Sequence, residues 1–248
     1  LFPPGAAHIS RTVSPDCAPS ILQQSFVSIG NIFIQSRVNS YGSDVIAGYS
    51  AAIKLNTFVI TGFTTLGNGV SGFTAQNLGA GDLERIKKGT LQSIAMMVGL
   101  AMVSVVIGLL LTVDGMYLRI FLSADKVTEE TIRYGNTFLY VDLAMYFFLG
   151  FIFVARNCVQ GIGKSAFVLG AGSAELVGRV VICMFLPAAL AGGTVSAAAH
   201  PLAFYGLCAA DPMAWMAADA VLIVPFVRNI MRKDYRYLTK ETDSPIQI

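Results

Sequence analysis

Apolar residues in this chain fall in long unbroken runs at about 19–36, 45–76, 91–113, 132–154, 166–186 and 212–227, separated by short polar segments. A helix needs about 20 mostly apolar residues to cross the hydrocarbon of a bilayer, and the runs approach or exceed that length. The second is longer than a bilayer requires, so it is expected to tilt or bend. Strands of a membrane barrel alternate apolar and polar positions over about ten residues, and these runs do not alternate. The pattern therefore predicts an all-α membrane protein, a six-transmembrane-helix bundle over residues 18–232. A segment of unassigned structure at 1–17 precedes it and a tail at 233–248 follows. The aromatic stretch Met116–Leu122 is too short to span and is expected to lie as a helix at the membrane interface. The stretch Pro187–Asp211 is rich in Ala and Gly, has no basic residue, and has room for further membrane-buried backbone.

Composition agrees with lipid as the solvent. Of 248 residues, 54% are hydrophobic and only 13% charged, against about 25% charged in a soluble domain. A soluble enzyme of this size could not cover its surface with so few charges, and a disordered chain would need more. The net charge of +2, not gathered on one face, excludes nucleic acid as a partner. Basic residues separate by side when six spans alternate. The N-terminus, the second and fourth loops and the C-terminus hold Arg11, Arg85, Lys87, Lys88, Arg156, Lys164, Arg228, Arg232, Lys233, Arg236 and Lys240; the other side holds Arg37, Arg119, Lys126 and Arg133. This bias places both termini in the cytoplasm of a cell-membrane protein. The start, Leu1-Phe2-Pro3-Pro4-Gly5, is not a signal peptide, and without an initiating Met the chain is expected to begin inside a longer protein.

Polar residues inside the spans are the candidates for chemistry. Gln24, Ser28, Asn31 and Gln35 recur at intervals of four, three and four and share one helix face. Thr57, Thr61, Thr65, Asn68 and Gly72 do the same on the second span. Unpaired amides cost several kcal/mol each in hydrocarbon, so the stripes face other helices or a wet cleft. Small hydroxyl residues suit helix contacts; the amide stripe suits the lining of a transport cleft. Lys54, Asp142, Glu175, Arg179 and Asp219 are ionisable residues within spans, where such groups mark pathways or pairs. Glu175 and Arg179, four apart, form a natural ion pair. Asp142 is either a proton carrier or the partner of a structural salt bridge, with Lys54 as one candidate. Asp219 lies near enough to its span's end to meet water or headgroups. The fourth span is crowded with aromatics (Phe138, Tyr140, Tyr146, Phe147, Phe148, Phe151, Phe153), suited to lipid packing or to stacking on flat drugs.

Other patterns carry no cofactor. Cys17, Cys158, Cys183 and Cys208 are scattered small fillers. Gly67–Gly72 fits GxGxxG, but within a helical run with no strand before it. Gly161–Ser165 resembles the end of a phosphate loop, with Cys158 where the first glycine belongs. His8 and His200 pair with nothing, so no metal site is expected.

Several segments together resemble the multidrug and toxic compound extrusion (MATE) family. They are Gln76-Asn77-Leu78-Gly79-Ala80-Gly81 followed by Arg85 and Gly89; Asn39-Ser40-Tyr41-Gly42 followed by Ile46-Ala47; Gln160-Gly161-Ile162-Gly163-Lys164-Ser165; Glu175 and Arg179; and Pro212-Met213-Ala214-Trp215. The first is quite specific and the rest are weak alone, but they run in family order. The resemblance implies a pseudo-symmetric twelve-helix antiporter of two six-helix lobes, with this chain its C-terminal lobe and a missing N-terminal lobe as partner. It implies cation- or proton-coupled efflux of amphipathic or cationic small molecules by alternating access, driven by H+ or Na+ and needing no enzyme chemistry. Gln24, Ser28, Asn31 and Gln35 would line the cleft. Asp142 lies in the span where sodium-coupled members carry an acid, about two turns early counting back from Gln160, and the first span has no carboxylate. Two other readings stand beside this one: a flippase for lipid-linked oligosaccharides from the same superfamily, which would need several buried cations where only Lys54 and Arg179 lie within spans, and a non-transporting membrane half-protein.

Overall fold

A computed structural model describes the backbone of residues 6–191 and 201–231, with side chains over 18–190 and 202–231. Every regular element among them is helical: α1 (Ala6–Val38), α2 (Ser43–Gly79), α3 (Leu83–Thr112), the short α4 (Met116–Phe121), α5 (Glu129–Gly161), α6 (Ser165–Ala191), α7 (Pro201–Cys208) and α8 (Ala210–Phe226), closed by one π-helical turn, Val227–Met231. By length and composition, five segments can cross a membrane: Ser43–Gly79, Leu83–Phe121, Glu129–Gly161, Ser165–Leu190 and Leu202–Met231. The helix at the first expected span, α1, is long enough but too polar for that group. Gln23, Gln24, Ser25, Ser28, Asn31, Gln35 and Ser36 dilute it, so it depends on its packing against α6.

The sixth span differs most from expectation. It begins near Pro201, not at 212, and takes in part of the Ala/Gly-rich stretch. Pro212 explains the break at Ala209: without an N–H it cannot bond back to the carbonyl of Cys208. The flanking bonds survive, Ala209 N to Tyr205 O at 3.0 Å and Met213 N to Ala209 O at 3.1 Å, so α7 and α8 form one interrupted rod.

Helix ends account for the family-like loops. At the end of α2, Asp82 N donates to Asn77 O at 2.9 Å while Gly81 sits at φ +72°, a glycine-dependent helix stop. The Asp82 side chain then accepts from Arg85 N at 3.0 Å and caps α3. The Gln160–Ser165 turn repeats the device, with Gly163 at φ +76° and Lys164 N bonded to Val159 O at 3.1 Å. The Met116–Leu122 stretch holds the short helix α4, counted with α3 in the segment Leu83–Phe121, with Tyr117 and Leu118 fully buried against the bundle and Ile120 exposed.

α5 is the hub. It packs on α2, α3 and α8 and buries Phe138, Leu139, Leu143, Tyr146, Leu149 and Ile152. Its crossing with α2 depends on Gly48 and Gly135: a Cβ on Gly48 would stand 2.5 Å from the Thr131 carbonyl oxygen, the close approach that small residues allow. α3 turns Met102, Val103, Val106, Ile107 and Leu110 outward, a surface suited to lipid and not to water.

Candidate functional site

α1 packs on α6, and α2 on α5, while α1 and α2 scarcely touch each other. Between these pairs, floored by α8, lies a cleft of about 470 Å³. Its walls are polar. α1 contributes Gln23, Gln24 and Asn31; α2 contributes Asn56, Thr57, Thr64 and Asn68; α5 contributes Arg156, Asn157 and Gln160; and Glu175, Arg179 and Asp211 stand at its base beside Trp215. Gln24 and Asn31, expected as lining, are there. Ser28 and Gln35 are not among the lining residues: Ser28 Oγ donates back to the Gln24 carbonyl at 3.1 Å and Gln35 Nε2 to Asn39 Oδ1 at 3.0 Å. The α2 stripe is exposed, but its hydroxyls are satisfied within their own helix, Thr57 on Ile53 O, Thr61 on Thr57 O and Thr65 on Thr61 O, all within 2.8 Å.

The expected Glu175–Arg179 pair forms at 3.0 Å and belongs to a larger set. Arg156 meets the other Glu175 oxygen at 2.6 Å, and Arg179 Nε donates to Asp211 Oδ1 at 2.7 Å. Arg179 Nη1 also donates to the Val27 carbonyl at 3.2 Å, joining α1 to α6 and α8. Gly30 makes room for this: a Cβ there would lie 2.7 Å from Arg179 Cδ. Two arginines and two carboxylates cancel, so the base of the cleft is polar yet neutral.

Asp142 is wholly buried, behind the cleft wall and not in it. Its Oδ2 accepts from Asn56 Nδ2 at 2.6 Å, and Asn56 Oδ1 accepts from Tyr146 OH at 2.9 Å. Asn56 thus separates Asp142 from the cavity. Lys54 is not its partner: it is exposed and lies over the Phe121 ring at 5.6 Å, because on α2 the faces of positions 54 and 56 diverge. Asp219 also departs from expectation. The lengthened sixth span leaves it mid-helix and only 8% exposed. The aromatics of α5 divide, with Phe138 and Tyr146 in the core, Tyr140, Phe147 and Phe148 outward and Phe153 at the cleft.

Arg156, Asp211, Asn56 and Trp215 escaped the sequence reading as cleft residues. The alternation of basic residues places Arg156 in a loop, and the apolar run starting at 212 leaves Asp211 just outside a span. The signal that could have placed the latter was Asp211 and Trp215 at a four-residue spacing, continuing to Asp219. Cys158, Cys183 and Cys208 are buried free thiols; the side chains of Cys17 and His8, and all of His200, lie outside the described residues. Among those described, no cluster of His, Cys, Asp and Glu could hold a metal. Gly67–Gly72 lies inside α2 and Gly163–Ser165 forms the turn before α6, neither in the strand-to-helix setting that phosphate binding requires.

A helical bundle with an apolar exterior and a neutral polar cleft is the build of a multi-pass membrane protein. Comparison with known proteins agrees. The MatE family model matches residues 19–185, and the chain belongs to that family. The chain is 29% identical over 152 residues to the probable multidrug resistance protein YpnP of Bacillus subtilis (strain 168), covering 61% of this chain and 33% of that protein. It is 27% identical over 132 residues to the probable multidrug resistance protein YoeA of the same organism, covering 53% and 27%. A solved outward-facing conformation of a multidrug resistance MATE family transporter of the MOP superfamily shares the fold, with a TM-score of 0.71 at 19% identity, over 88% of this chain and 44% of that one. The chain thus matches less than half the length of these proteins.

Proposed function

We propose that this chain is the C-terminal lobe of a multidrug antiporter, working with an N-terminal six-helix lobe. Its cleft forms one wall of the drug pathway, and the lobes rock around it while H+ or Na+ entry drives efflux. The observation that carries the reading is the neutral, amide-lined cavity between α1 and α2 in a bundle whose other faces suit lipid. Gln24 and Asn31 offer donors and acceptors to an amphipathic cargo, and Phe153 and Trp215 offer it apolar surface. Asp142 contributes to coupling through Asn56, which touches both the carboxylate and the cavity. A pyrophosphate-bearing lipid suits this cleft poorly, since both arginines are taken up by carboxylates.

The test is the full-length protein with Gln24→Leu and Asn31→Leu together. Each hydrogen bond is worth about 1 kcal/mol, so losing two should lower drug extrusion by roughly thirtyfold with expression unchanged. Undiminished extrusion would remove α1 from the pathway. Absence of any drug flux from the wild-type protein joined to its other lobe would favour the non-transporting half-protein.

A further inference from the structure

The four charges at the base of the cleft balance without Asp219. Arg156 and Arg179 are taken up by Glu175 and Asp211, and neither oxygen of Asp219 has a hydrogen-bond partner among the described residues. An ionised carboxylate so placed would be a surplus charge in a low-dielectric interior, among the costliest arrangements a protein can hold. One group nearby is also incompletely used: Arg156 Nε is buried with no partner while its Nη2 holds Glu175. Asp219 follows Asp211 and Trp215 at four-residue intervals along α8, and both of those line the cleft, so it stands on the cleft-facing side of the helix, one turn beyond Trp215.

The charged groups facing Asp219 are few. α5 supplies Arg156 and α6 supplies Glu175, and these are the charges that act on it. α7 has no charged residue, and Arg228 past the end of α8 is exposed.

We propose that Asp219 is a proton-binding site whose occupancy decides which carboxylate holds Arg156. With the proton on Asp219, Arg156 stays with Glu175 and the four-charge set is closed. When Asp219 releases its proton to water in the cleft, the new carboxylate draws the Arg156 guanidinium toward α8. Glu175 is then left to Arg179 alone, and the tie between α5 and α6 loosens. The proposal rests on the transport role of the cleft for its consequence, but the proton site can be tested without transport.

The experiment is infrared titration of the purified full-length protein in lipid nanodiscs. The wild type should show a protonated-carboxyl band that fades as pH rises. Asp219→Asn, an isosteric change that should fold, should lose one component of that band, and Asp219→Glu should retain it. In Arg156→Gln the component should persist to higher pH, because the cation that replaces the proton is gone. A band unchanged by Asp219→Asn overturns the proton site; an unshifted component in Arg156→Gln overturns the exchange. Binding of ethidium, a flat cationic dye, to the same samples reads the cleft separately. Wild-type protein that titrates as described but binds no ethidium would count against the drug pathway and leave the proton site standing.

Discussion

At the scale of single residues, the network under the cleft is stable only as a set. Removing one partner of a buried pair strands the other, at about 3–5 kcal/mol. Asp211→Asn should therefore lower the thermal unfolding temperature in detergent far more than Asp125→Asn, a change at an exposed loop position. Part of this network was legible in the sequence. Glu175 and Arg179 are one helical turn apart, and that spacing alone brings them together. Asp211 lies 32 residues from Arg179, and no local rule links them. Asp142 shows the same limit from the other side: its burial could be read from its span, but its partner Asn56, 86 residues away, depends on how α2 packs on α5. Sequence periodicity also chose Gln24 while passing over its neighbour Gln23, which is buried and shares the cleft lining.

At the scale of elements, Gly48 and Gly69 within α2 and Gly81 just beyond it play three different roles, and substitution by Ala should separate them. Gly48→Ala drives a methyl group into backbone of α5 and should destabilise by about 1–3 kcal/mol. Gly81→Ala, just past the helix end, leaves a side chain at φ +72° and should cost about 1 kcal/mol. Gly69→Ala meets open space and should gain about 0.5–1 kcal/mol of helix propensity. Thermal melts of the three variants in one detergent check the order. The turn at Gly79–Asp82 was readable because glycine and an N-capping Asp each have a local reason to be there. The start of the sixth span was not, because Ala and Gly give weak hydropathy and Pro212 reads as a boundary when it is only an interruption.

For the whole molecule, the alternation of helices puts the α2–α3 turn and the segment before α5 at opposite ends of the bundle. Lys88→Cys and Ser123→Cys are both at exposed positions, and an impermeant thiol reagent applied from outside intact cells should label only the second. Labelling of both from one side would overturn the topology. The class of fold was readable from six apolar runs, since length and hydropathy are local properties. The cleft was readable only as two polar stripes. Its neutral charge balance and its depth arise from residues of five helices, and only packing assembles them.

The threonines of α2 bear on how such a bundle can move. Their hydroxyl protons are already spent on carbonyls one turn back along the same rod, so the face they cover makes no demand on whatever lies beside it. Oil, solvent or a sliding neighbour would each be met with nearly the same enthalpy, and a surface of that kind can change company during a conformational cycle without raising a barrier at every step.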